Sequence, residues 1–469
     1  MIGLEKEPIA RSVKRKKVVF YRFAPYTSLD GGTVLGGTGG ENTALHTGGT
    51  LCLKTSVNCD LSGGGLGQGV GAELAYTSAG NTVTNLLPST ITNIFCVRLK
   101  SMDGTSVFER YLVAFEDGYV RLYNESSAAF SMGMPVGKNA CGVFLRAVDG
   151  EERYLIVGDD GARFLMSDEE FYPTGRNDLT NVFCVCKNRL FILLQDGRLA
   201  YADPTLPWDL TESIDDGGYI ELPIALGAPI ALTAVGEYVY IVFRRALMRL
   251  TVKGGGRDFC LEEIFYSGGK IVSGSVCGLS DGVAFWAHDG LWRVKGTNAQ
   301  RFGEGIALYI SAQDIRCNAA VCGEKYLLRY ADENGEFVSV AVDLDGKSWS
   351  YCYDLLGLSE GFDAPVFVRA GNLYQLGGTA LPADASCAAE SVDTDFGIRG
   401  KKTLRRLDFV GEGNFVVKIY CDGRCIERSV AFACGKATVD ISVRGESFSF
   451  AFEIGQHSVL RGMSAEIEA

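Results

Sequence analysis

The stretch Cys277–Phe302 reads CGLSDGVAFWAHDGLWRVKGTNAQRF. Asp281-Gly282 opens it, Val283–Ala287 is an apolar run, His288-Asp289-Gly290 is a turn, and Leu291–Val294 alternates apolar and polar residues. Two β-rich runs around Asp-Gly are the strongest short-range hairpin signal, because Asp and Gly tolerate the positive φ of a tight turn. The rest of the chain is this hairpin varied and repeated.

Upstream, Tyr111–Phe115 and Tyr119–Tyr123 flank Glu116-Asp117-Gly118. Tyr154–Val157 and Ala162–Met166 flank Asp159-Asp160-Gly161. Leu190–Leu194 and Arg198–Tyr201 flank Gln195-Asp196-Gly197. Tyr238–Phe243 and Ala246–Thr251 flank a different turn, Arg244-Arg245. Downstream, Lys325–Tyr330 and Phe337–Val342 flank Asp332–Gly335, and Val366–Arg369 and Asn372–Leu376 flank Ala370-Gly371. Successive turns lie roughly 36 to 49 residues apart, a period in the range of β-propeller blades. A small twisted sheet buries both faces only against neighbours, and a ring of such sheets leaves few open edges. The expected fold is all-β, a six- or seven-bladed β-propeller over residues 88–380. First and last blades commonly share strands, so the blade number stays open at this point.

Residues 1–87 read as a basic arm followed by a Gly-rich N-terminal segment. Residues 381–397 read as a small-residue linker. Residues 398–469 carry six strand-like runs, among them Phe448, Phe450, Phe452 and Ile454 in strict alternation, the period of a half-buried strand. They are expected to form a C-terminal antiparallel β-sandwich or barrel. In the arm, Lys14, Arg15, Lys16 and Lys17 are candidate interface residues. The competing reading is a solvated arm or a charge-guarded edge strand.

Composition narrows the function classes. The 469 residues include 59 Gly and carry a formal net charge of −12, which disfavours broad binding to phosphate backbones. No apolar run reaches the ~18 residues of a membrane span. The basic N-terminus is followed by only Val18–Tyr21 before Arg22, too short for a signal-peptide core. The 15 cysteines are scattered and lie mostly inside strand-like runs, so reduced, buried thiols and folding in a cytoplasm are expected.

Chemical motifs are sparse. The three histidines, His46, His288 and His457, sit in separate segments without ligand-spaced neighbours, against a metal site or a triad. His288 reads as a turn residue. Gly65, Gly67, Gly69 and Gly71 do not fit GxGxxG, and no long helix follows them. Cys421 and Cys425 bracket a hairpin turn, but one CxxxC is weak evidence for zinc. Asp345–Ser348 ends like a phosphate loop whose first Gly would be Ala341, inside a strand. Asp343–Trp349 approaches the Asp-box of sialidase propellers but has Leu344 where an acid belongs. The acidic pairs Asp159-Asp160, Glu169-Glu170 and Asp215-Asp216 are turn-like, and Trp208, Trp286, Trp292 and Trp349 do not obviously converge. No cofactor, metal or catalytic residue is expected, although a carboxylate pair assembled from different blades stays open.

One family resembles this pattern. Arg189-Leu190-Phe191, Tyr201-Ala202-Asp203, Gly218-Tyr219-Ile220, Pro229–Leu232 and Tyr238–Leu250 look like the core of the β-propeller tail nozzle, tail tubular B-like or packaged-DNA stabilisation proteins of short-tailed bacteriophages. Trp286–Trp292 with Gln300-Arg301-Phe302 continues the likeness, and Asp395-Phe396-Gly397 with Lys401–Leu407 resembles that family's entry into its final domain. The resemblance covers residues 185–310 and 393–469. It implies a virion part made in the host cytoplasm: a homo-oligomeric ring, expected to be a hexamer, contacting portal, adaptor and other tail proteins. Double-stranded DNA would pass through its lumen without sequence-specific binding. It implies no catalytic residue. The alternatives are a glycan-binding or glycan-cleaving propeller and a generic propeller scaffold.

Overall fold

Alternation along Gly282–Ala287 explains the architecture. Every residue of this strand is buried, and successive side chains leave a strand on opposite faces. Val283, Phe285 and Ala287 therefore enter one apolar cluster, with Tyr240, Val242 and Leu247. Ala284 and Trp286 enter another, with Tyr326, Leu328 and Val340. A sheet buried on both faces needs a neighbour on each side, and each neighbour needs one in turn. A closed ring meets that demand.

The computed structural model describes residues 15–25, 49–77, 80–86, 91–101, 103–124, 127–131, 133–211, 217–303, 306, 317–332, 334–344 and 348–468. Within them the chain divides into two units: residues 70–382, and residues 1–69 together with 383–469.

The first unit is a β-propeller of seven antiparallel sheets. Blade I comprises Ile91–Lys100, Val107–Phe115, Tyr119–Asn124 and Met134–Pro135, with Ala129–Phe130 as a short addition. Blade II comprises Cys141–Arg146, Glu152–Gly158, Gly161–Leu165 and Phe171–Pro173. Blade III comprises Leu179–Cys186, Arg189–Leu194, Leu199–Tyr201 and Gly218–Ile220. Blade IV comprises Ala231–Val235, Tyr238–Val242, Ala246–Thr251 and Cys260–Tyr266, and blade V Cys277–Leu279, Gly282–Ala287, Gly290–Lys295 and Asn298–Phe302. Blade VI comprises Cys317–Cys322, Lys325–Ala331, Phe337–Asp343 and Trp349–Cys352. Each hairpin expected from the sequence is the middle pair of strands of one blade. In the Asp117-Gly118 and Asp196-Gly197 turns the glycine takes the positive φ, +82° at Gly118 and +88° at Gly197. The preceding Asp accepts from the backbone two residues on, as Asp117 Oδ1 does from the Tyr119 N–H at 3.0 Å, an Asx contact that fixes the turn.

Blade VII holds Leu356–Ser359, Val366–Arg369 and Asn372–Gly378, and its fourth strand, Gly71–Leu74, comes from ahead of blade I. Tyr374 pairs with Leu74, Gln375 with Glu73 and Leu376 with Ala72. A Cβ on Gly71 would lie 2.0 Å from the Gly378 carbonyl oxygen, so only glycine fits this close approach. The seam is also stitched at its inner edge, where the Ile94 N–H donates to Ser359 Oγ at 3.2 Å. The propeller thus starts near residue 70 rather than 88. A four-residue strand without clear alternation gives no local sign that its partner lies some three hundred residues away.

The second unit joins the N-terminal strands to the C-terminal ones. Its strand order is Lys436–Gly445, Lys402–Glu412, Val459–Glu468, Arg15–Pro25, Gly49–Val57, Cys387–Ser391, Ser449–Ile454, Asn414–Cys421, Arg424–Ala431. Arg15–Phe20 pairs antiparallel with Val459–Glu468, and after an irregularity between Phe20 and Arg22 the strand pairs parallel with Gly49–Val57. Strands that change partners at a bulge turn the corner of a sandwich. Val18, Phe20 and Phe23 point into a core with Phe409, Phe415, Phe448, Phe450 and Phe452. All six strand-like runs read after residue 398 are present. Two expectations change. The N-terminal stretch is woven into this unit instead of standing apart, and Cys387–Ser391, inside the expected linker, is a strand between Gly49–Val57 and Ser449–Ile454.

Lys402 is buried in this unit, with Nζ donating to the carbonyl oxygens of Asp395 (2.8 Å) and Ile398. Burial lowers its pKa, as desolvation does to a cation. Neighbouring Phe396 takes φ +56° and sets its ring against Phe20, Phe448 and Phe450. Asp395-Phe396-Gly397 and Lys402 are thus a structural staple.

Candidate functional site

The first strands of the blades are successive neighbours round the axis, with Leu356–Ser359 beside Ile91–Lys100. Near an axis the inter-blade space tapers, which favours small side chains. This explains the position of seven of the cysteines. Cys96, Cys141, Cys184, Cys186, Cys277, Cys317 and Cys322 all lie on these inner strands, unpaired, and act as small apolar fillers. Burial pushes the Cys96 thiol up to about 12 and Cys317 to about 12. Burial, with the Asp159 charge behind it, pushes Cys141 to about 11. Thiols held protonated near neutral pH are neither nucleophiles nor metal ligands.

A small cleft opens at the closing seam between blades VII and I. Its volume is about 150 Å³, and its walls include Tyr76, Arg98, Glu109, Tyr111 and Phe362. Arg98 pairs with Glu109 and lies 5.0 Å over the Phe362 ring, while Tyr111 Oη donates to the Tyr76 carbonyl oxygen at 3.1 Å. Strands from both ends of the propeller build this cleft, so no sequence spacing announces it. Arg98 and Glu109 satisfy each other, Asp363 adds a further carboxylate to the wall, and the cleft has room for a few waters or a very small solute.

A general acid needs a raised pKa, whereas every carboxylate whose titration is displaced is displaced downward. Arg121 does this to Asp117 and Arg198 to Asp196. Lys295, with Arg293, does it to Asp281. Asp159 accepts from Asn139 Nδ2 at 3.0 Å, and Glu169 pairs with Arg110 at 3.0 Å. Asp215-Asp216 lies outside the described residues.

The interface candidates Arg15, Lys16 and Lys17 do not form a free arm. They are the first residues of a paired strand, opposite Glu468, Ile467 and Glu466. Arg15 reaches Glu466 at 3.5 Å and Lys17 reaches Asp408 at 3.3 Å, so both cations are matched within the chain. Lys14 lies outside the described residues.

The other motifs resolve into structure. His288 and His457 are exposed turn residues, and His46 is outside the described residues. Tyr420 pairs with Cys425 and Cys421 with Arg424, so the two thiols leave the hairpin on opposite faces and cannot share a metal. No group of three potential metal ligands occurs among the described residues. The glycines at 65, 67 and 69 flank and interrupt the strand Leu66–Gln68, where backbones approach closely. A Cβ on Gly69 would lie 2.8 Å from the Asn58 backbone. Trp349 packs into the core between blades V and VI that also holds Trp286, whereas Trp208 packs between II and III and Trp292 between IV and V. Residues 345–347, within the Asp-box-like stretch, are not described. The tryptophans form no common platform for a sugar.

No protein-family model matches the sequence, and no curated protein is similar to it. Solved structures with a related fold include virginiamycin B lyase from Staphylococcus aureus, at 11% identity and a TM-score of 0.38, over 62% of this chain and 96% of that one. BamB from Moraxella catarrhalis is 13% identical with a TM-score of 0.37, over 65% and 92%. The N-terminal domain of Nup159 is 10% identical with a TM-score of 0.37, over 69% and 98%. Likenesses this remote transfer no activity or partner to this chain.

Proposed function

We propose that the chain is a non-catalytic structural propeller that serves as a nozzle-like ring in the tail or neck of a short-tailed phage. In this reading it retains and guides the genome. The observation that carries the proposal is the strand pattern over residues 188–254 and 283–302, whose elements fall in blades III, IV and V and resemble those tail proteins. Three features support it. The net charge of −12 suits a lumen that must not grip phosphate. The displaced carboxylates are lowered and the axial thiols are held protonated, which favours a scaffold over an enzyme. The propeller is a scaffold fold that offers loop-bearing faces to partners.

The ring, expected to be a hexamer, would join portal and adaptor proteins, with double-stranded DNA passing through. The test is reconstitution of the full chain with the portal–adaptor complex of its own phage, followed by negative-stain imaging. A ring docked below the adaptor is expected. A protein that stays monomeric beside that complex, or that turns over a bacterial polysaccharide, would sink the proposal.

A further inference from the structure

In a four-stranded antiparallel blade, the hairpin between strands two and three and the connection to the next blade emerge at the same end. One face of the propeller is therefore built from alternating hairpin tips and connections. Backbone hydrogen bonds join them into rims. At blades I and II, Val136 N–H donates to the Gly118 carbonyl (3.1 Å), Asp160 N–H to Val136 (3.0 Å) and Asp159 N–H to Lys138 (3.1 Å). At blades IV and V, Ser267 N–H donates to Arg245 (2.7 Å), Ile271 N–H to Arg244 (2.7 Å) and His288 N–H to Lys270 (2.8 Å).

The two rims have opposite charge. The first exposes Glu116, Asp159 and Asp160 beside Lys138, while Asp117 is matched by Arg121. The second carries Arg244, Arg245 and Lys270, and its carboxylate among the described residues, Asp289, is held by Arg301 at 3.0 Å and by Trp292 Nε1 at 3.0 Å. Arg244 and Arg245 break a pattern. Most arginines of the propeller have a carboxylate within reach, including Arg98, Arg110, Arg121, Arg198, Arg249 and Arg293. Arg244 and Arg245 are exposed, and no carboxylate of the described residues lies within ion-pair distance of either. In an acidic protein, two adjacent cations left unmatched are suited to an anion from outside. Tyr266, 62% exposed, stands beside them, paired with Ala246 across the blade.

We propose that the Arg244–Arg245 rim of one copy docks on the Asp159–Asp160 rim of a second copy of this chain. The complementary surface is on the same molecule, three blades away on the same face, nearly opposite across the ring. Joined one rim to one rim, two unlike patches make a head-to-tail contact, which propagates from copy to copy and closes when the rotation allows. The connection between the rims, from blade III to blade IV, presents Ile224 at 95% exposure, an apolar contact to accompany the charges. Duplex DNA is the less favoured partner, because two arginines and a lysine neutralise few phosphates. The inference deepens the ring reading above and rests on it.

The experiment is a charge swap in the full chain, read by sedimentation velocity at low and high salt. The variants are Arg244→Glu/Arg245→Glu and Asp159→Lys/Asp160→Lys, with circular dichroism to check that both remain folded. Each alone juxtaposes like charges and should weaken self-association at least about tenfold. Mixing the two should restore it in mixed complexes, and salt should weaken the wild type. Assembly that survives both reversals would overturn the docking and leave the ring standing on another surface. A wild-type chain that is monomeric at both salt concentrations would overturn the docking, and one that stays monomeric when the portal–adaptor complex is added would overturn the ring reading as well. A wild type that binds a duplex oligonucleotide, lost in Arg244→Glu/Arg245→Glu while assembly is unchanged, would assign the rim to phosphate instead.

Discussion

At the residue scale, Trp286 is the most consequential side chain of the opening stretch. It is 1% exposed and stacks edge-on to Tyr330 at 5.3 Å in the core between blades V and VI. Trp286→Ala should cost about 3–5 kcal/mol, read as a lower melting temperature, whereas His288→Ala at the exposed tip should stay within about 0.5 kcal/mol. Asp281 gives a prediction in pH. Lys295 at 2.9 Å and Arg293 at 3.0 Å hold its carboxyl below the ordinary 3.8. Folding then releases a proton that the unfolded chain keeps. The contribution is complete above the unfolded value and is lost as pH falls through the folded one. Acid unfolding of Asp281→Asn should therefore show a shallower loss of stability below about pH 4 than the wild type, in melts taken across that range. Equal slopes would mean that the pair contributes nothing to folding.

At the element scale, the hairpins could be read from sequence because their information is local. Asp117-Gly118 or Asp196-Gly197 needs only its own few residues to turn, and the flanking runs announce strands. Even Arg244-Arg245, with no glycine, was legible from its flanks. The fourth strand of blade VII was not. Gly71–Leu74 has meaning only against Asn372–Gly378. Arg15–Pro25 was misread for another reason. Its cations dominate the sequence, and the irregularity between Phe20 and Arg22 breaks the alternation that would have marked Val18, Phe20 and Phe23 as one buried face. The seam cleft was illegible for the same reason as blade VII. The seam is where one substitution should do most harm to the propeller. The Ala72 N–H donates to the Ala380 carbonyl at 2.9 Å. Ala72→Pro removes that donor inside a strand, at about 3 kcal/mol or more. Limited proteolysis should then cut first near residues 71–86, with faster hydrogen exchange in blades VII and I. Cleavage unchanged from wild type would show that the ring does not depend on this strand.

At the scale of the whole molecule, the propeller contains its own closure, because residues 70–382 include both sides of the seam. A fragment of residues 70–382 should fold and melt cooperatively by itself. Removing residues 1–69 should instead unfold the other unit, since Arg15–Pro25 lies between Val459–Glu468 and Gly49–Val57. Near-ultraviolet circular dichroism of the two truncations separates these outcomes, and native-like C-terminal strands without residues 1–69 would refute the second. The central functional claim is assembly without chemistry. Its most direct test is the mass of the full-length particle in solution, by native mass spectrometry at low ionic strength with and without the portal–adaptor complex. The account predicts a single closed oligomer, expected to be six copies, that binds the complex as a unit. A monomeric mass under both conditions would contradict it.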